Sequence, residues 1–111
     1  MKNNGLKNIP FSSIVDLETL VEFRPGQIVS MTLAQNPAVS ITLFAFDKDE
    51  EISTHESEGD ALVTALDGVA EITIEGEKFI LKKGETIVMP ARKPHAVRAT
   101  EQFKMLLVVV F

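Results

Sequence analysis

From residue 28 onward the chain is cut into short stretches of apolar and polar residues in period two, each closed by turn-forming residues. A strand presents alternate side chains to opposite faces, so this pattern requires sheet and leaves no room for a long amphipathic helix. Stretches at 28–33, 39–46, 52–56, 61–66, 69–74, 78–81, 86–89, 95–99 and 103–111 give about nine strands. In the first, Ile28, Ser30 and Thr32 share one face and Val29, Met31 and Leu33 the other; in the second, Ile41, Leu43 and Ala45 oppose Ser40, Thr42, Phe44 and Phe46. Gln35-Asn36-Pro37, an acidic loop at 47–51, Glu75-Gly76-Glu77 and Lys82-Lys83-Gly84-Glu85 turn the chain. Asp67-Gly68, set between two alternating runs, is a tight-hairpin signal. Closely spaced short strands of this kind predict an all-β sandwich or barrel. The stretch 103–111 is apolar on both faces. It belongs in the middle of a sheet or against another subunit, since an exposed apolar edge aggregates.

Residues 1–27 read differently. A polar arm at 1–12 leads to 14–21, whose spacing suits a short helical turn or an irregular segment, and Arg24-Pro25-Gly26-Gln27 makes a turn. The expected organisation is one domain, with an arm at 1–27 and the β-barrel at 28–111. A length of 111 residues, 45% of them hydrophobic, suffices for one core. The net charge of -5 argues against nucleic acid and anionic membranes as partners. No apolar run has the length of a transmembrane helix, and residues 1–11 lack a signal-peptide core. Without cysteine, disulfides and thiolate zinc sites are excluded, which fits a cytoplasmic protein.

Only two histidines are present, His55 and His95, forty positions apart and each beside a polar loop. Either alone reads as an exposed loop residue. Together, at corresponding ends of two strands, they are candidate ligands of a divalent metal, because imidazole binds such ions well. Glu56, Glu58 and Asp60 are candidate further ligands; the plainer reading is a solvated acidic turn. Asp60 stands out because it immediately precedes an apolar strand. Gly68, Gly76 and Gly84 recur at hairpin positions and serve turns rather than phosphate. Ser53 and Ser57 lie outside any nucleophile elbow. Arg92 and Lys93 are exposed loop cations able to meet an anionic ligand.

The two loops resemble the motifs of the cupin superfamily. Its first motif, Gly-x5-His-x-His-x3–4-Glu-x6-Gly, falls on Asp49, His55, Ser57, Ala61 and Gly68. Its second, Gly-x5-Pro-x-Gly-x2-His-x3-Asn, falls on Gly84, Pro90, Arg92, His95 and Ala99. The resemblance implies a double-stranded β-helix jelly roll with a site between its sheets. In that family two His and a Glu of the first motif join the second motif's His around a divalent metal. This chain keeps two of those four positions, with Ser57 and Ala61 in place of the others. The resemblance therefore implies a reduced site of His55 and His95, completed by water or by Asp60 around Zn, Fe, Ni or Mn, or a metal-free pocket in which both imidazoles face a ligand. Alternation places Ser57, Ala61, Val63, Ala65 and Val97 inward as pocket residues. Two functional readings follow: a small-molecule-binding cupin, or a metal-dependent oxygenase or isomerase. A metal-independent isomerase or epimerase is a third. A homodimer is expected through 108–111 and the strand at 28–33, as cupins pair through sheet faces or edges.

Overall fold

The computed structural model describes residues 5–111. Residues 1–4 of the expected arm lie outside the described residues. A single 3-10 turn, Leu17–Leu20, precedes nine strands: β1 (Ile28–Gln35), β2 (Val39–Phe46), β3 (Glu51–His55), β4 (Asp60–Asp67), β5 (Val69–Ile74), β6 (Glu77–Lys82), β7 (Thr86–Met89), β8 (His95–Ala99) and β9 (Phe103–Val110). They form a five-stranded sheet, β1-β2-β9-β4-β7, facing a four-stranded sheet, β3-β8-β5-β6, with every pairing antiparallel. This is the all-β jelly roll expected from the alternation. The bounds of β2, β5, β7 and β8 coincide with the sequence reading. β1 runs two residues further because a bulge between Thr32 and Ala34 shifts its register, so that Leu33 and Ala34 are both buried.

β9 is apolar on both sides because it is the central strand, paired with β2 and β4. Each of its faces meets a separate core. Between the sheets, Phe46, Val63, Ile72, Val97, Phe103 and Met105 are fully buried. On the outer face of the larger sheet, Leu43 and Ala45 are sealed by Val21, with Ile9, Leu17, Leu20 and Phe23 packed against them. The segment before β1 therefore lies on the barrel. Lys7 donates its N–H to the Leu33 carbonyl at 2.7 Å and Asn8 donates from Nδ2 to that of Thr32 at 2.8 Å. Lys104 donates from Nζ to the Glu18 carbonyl at 2.7 Å and sits 4.8 Å from the Phe23 ring centre, a cation–π contact.

Two glycines are required by close approach. Gly68 turns the β4–β5 hairpin at φ 75°, and a Cβ there would strike the Gln102 carbonyl. A Cβ on Gly59 would strike the Val110 carbonyl where β4 begins beside the end of β9.

Candidate functional site

His95 opens β8 and His55 closes β3, and the two strands pair so that these residues stand directly opposite. Opposite residues of an antiparallel pair share a face. Ile52 and Val97 are opposite in the same ladder, and Val97 lies in the inner core, so the two imidazoles also face inward. A register shift between Ile52 and His55 restores the pairing at the end of the ladder. His95 is only 2% exposed, while His55 lies at the solvent end. Their rings meet edge to face, with centroids 4.3 Å apart and Nε2 to Nε2 at 3.1 Å.

The remaining ring nitrogens decide the chemistry. Nδ1 of His55 lies 2.9 Å from the Ser53 carbonyl, and Nδ1 of His95 lies 3.1 Å from the Lys93 carbonyl. A carbonyl can only accept, so each Nδ1 carries a hydrogen, and a neutral ring then has a bare lone pair on Nε2. Two such lone pairs pointing at each other across 3.1 Å repel unless a cation lies between them. A shared proton satisfies this, and so does a metal ion. Metal-ligating histidines commonly have their second nitrogen tied in the same way. Burial lowers the pKa of His95, and the charge of His55 lowers it further; the Lys93 carbonyl and Glu56 act in the opposite sense but do not overcome this. The pair thus resists holding two protons.

Of the other candidates from the sequence, Glu56 is near enough for its charge to act on His95, while Asp60 and Ser57 are engaged in the adjoining loop. Asp60 is exposed, and its Oδ1 accepts the Ala91 N–H at 2.9 Å. Ser57 donates from Oγ to the Gly59 carbonyl at 2.7 Å. Arg92 donates its N–H to the Ser57 carbonyl at 2.8 Å, so these residues fasten the 90–94 loop to the start of β4. Among the described residues no three His, Asp or Glu side chains gather as a metal cage. The chain fits a divalent metal to the extent of two imidazole donors. Ala61, Val63, Ala65 and Val97 do point inward, but as closely packed core. A cavity of about 510 Å³ opens elsewhere, between the edge strands β6 and β7, and is lined by Ile74, Glu75, Glu77, Phe79, Ile87, Val88 and Pro90. It touches the imidazole row only through Ile74, which pairs with His95. Alternation could not reveal it, because its walls come from two edges that only the sheet order brings together.

The model for the cupin domain matches residues 42–111, from β2 through the end of β9. This chain belongs to the cupin family. A conserved protein of unknown function from Streptococcus pyogenes has a similar structure, with 48% identity and a TM-score of 0.93, over 96% of this chain and 93% of the other. A cupin superfamily protein from Desulfitobacterium hafniense is 39% identical with a TM-score of 0.91, over 96% and 97% of the two chains. A cupin 2 conserved barrel domain protein from Leptotrichia buccalis is 46% identical with a TM-score of 0.86; the match covers 87% of this cupin and 47% of that longer chain. In the cupin described here, the position of the family's Glu is filled by Ala61, 2% exposed and opposite Met89.

Proposed function

We propose that this cupin binds a small organic ligand at the end of its barrel, where His55 and His95 hold a cation between their Nε2 atoms. In the metal-free protein that cation is a proton; in the loaded protein it is a divalent transition metal such as Zn, Fe, Ni or Mn. The convergence of two carbonyl-tied imidazoles at 3.1 Å carries this reading. A metal held by two side chains keeps several coordination positions for water or a ligand's oxygen or nitrogen donors. His95 supplies a buried donor fixed by Lys93, and His55 supplies one that a ligand arriving from solvent meets first.

Nitrogen-15 NMR of the metal-free protein tests the first half: both rings are expected as the Nδ1–H tautomer with one proton between them. Addition of Zn, Ni, Mn or Fe(II) is expected to give one bound ion, with affinity falling at least about tenfold in His55→Ala. Two separate Nε2–H rings, together with no uptake of any of these ions, would overturn the proposal. The same two-donor set favours a second reading, a metal-dependent oxygenase or isomerase, because open positions on a metal can polarise a substrate. It differs in one measurable respect, namely turnover that requires the metal and disappears in His55→Ala.

A further inference from the structure

We propose that the cleft between β6 and β7 is a second binding site, selective for a small primary amine with a hydrocarbon body. Its walls are Ile74, Phe79 and Ile87, half-buried side chains resting on the inner core, with Pro90 at the mouth. A cavity of about 510 Å³ with such walls lies within the range of small-molecule sites. It exists because β6 ends the smaller sheet and β7 the larger one, so the sandwich parts at this side with no strand to close it.

The rim sets the charge of the occupant. Glu75 and Glu77 line the cleft, and among the described residues no ion pair or side-chain hydrogen bond engages either carboxylate. Lys78, which follows Glu77 and is the nearest cation in sequence, is drawn away to Glu71 at 3.7 Å. Glu75 is anchored by its backbone, whose N–H donates to the Pro94 carbonyl at 2.9 Å, and it takes the left-handed conformation at φ 50°. Glu77 stands opposite Ile74, so its side chain projects from the same face as that apolar residue. Two free carboxylates beside an apolar wall suit an ammonium whose hydrocarbon tail lies on Ile74 and Phe79. Neither imidazole lines the cleft, so this site does not depend on the cation held by His55 and His95.

The test is an amide NMR titration of the full chain at neutral pH and low salt, comparing hexylamine, hexanol and hexanoate. Hexylamine is expected to shift amides of residues 74–79 and 86–90, and to bind at least about tenfold tighter than hexanol or hexanoate. The double variant Glu75→Gln, Glu77→Gln keeps exposed side chains of the same shape and is expected to lose that preference. His55→Ala is expected to leave it intact, which separates this site from the imidazole pair. Equal response to the three probes, shifts outside the cleft, or no response to hexylamine would each overturn the proposal.

Discussion

His95 is the one buried polar side chain among the described residues, and both of its ring nitrogens have partners. Its lowered pKa makes stability depend on pH. In the unfolded chain the ring titrates at about 6.5. Above that value the unfolded ring is neutral and the folded pair is not asked to take a proton beyond the one it shares, so burial of His95 costs nothing there. As pH falls below it, the unfolded chain takes up a proton that the folded site resists, so the metal-free protein loses stability until its own, lower pKa is passed. Urea unfolding between pH 7.5 and 5 is expected to show this decline, and His95→Gln to flatten it. A steeper decline in the variant would contradict the assignment. The meeting of the two imidazoles was legible from residue spacing, since both motif positions fall at strand ends. The tautomers were not, because they depend on the carbonyls of Ser53 and Lys93, and backbone direction is invisible in a string of letters.

Among the elements, β9 and the loops that meet at Asp47 carry the fold. Phe103 and Phe46 stand opposite each other in the β2–β9 ladder, with ring centres 5.8 Å apart and no exposure. Phe103→Ala is expected to destabilise by about 3–5 kcal/mol, read from the chemical unfolding midpoint, because the surrounding rings cannot collapse into the void. The adjoining loops are tied by one carboxylate. Asp47 accepts the Gly26 N–H at 2.7 Å, the Lys48 N–H at 2.9 Å and the Gln102 side chain at 3.1 Å. The Gly26 bond, then those of Gln102 and Lys48, lowers its pKa below 3.8. Its contribution is therefore complete above the unfolded value and disappears as pH falls through the folded one. The acid limb of the stability profile is expected to be shallower in Asp47→Asn, as followed by circular dichroism from pH 5 to 2. Strand placement was legible because alternation with a turn residue leaves little freedom. The bulge in β1 was hidden, since Leu33-Ala34 reads as ordinary apolar sequence. The outer core was hidden too, because spacing that suits a helical turn at 14–21 does not say which face of the barrel those residues cover.

At the scale of the whole molecule, the outer face of the larger sheet is only partly covered. The segment that supplies Leu17, Leu20, Val21 and Phe23 packs over Val29, Met31, Leu43, Ala45 and Leu106. One row further along the strands, the register aligns Ala34, Ile41, Val108, Leu62 and Val88, an apolar residue from each of the five strands in turn. At strand spacing this row spans roughly 19 Å. Beyond it Val110 and Phe111 are each 57% exposed. Ala34 is buried and Ile41 packs on the outer core, but Val88 is 48% exposed, and with Val110 and Phe111 it leaves apolar side chains of this sheet open to solvent. We propose that a second copy of the chain covers them. Light scattering is expected to give twice the monomer mass at micromolar concentration. Val110→Lys with Phe111→Lys alters two side chains that already meet solvent, so the fold should persist by circular dichroism while the mass falls toward the monomer. A wild-type protein that stays monomeric at all accessible concentrations would leave these side chains without a partner and defeat the assignment.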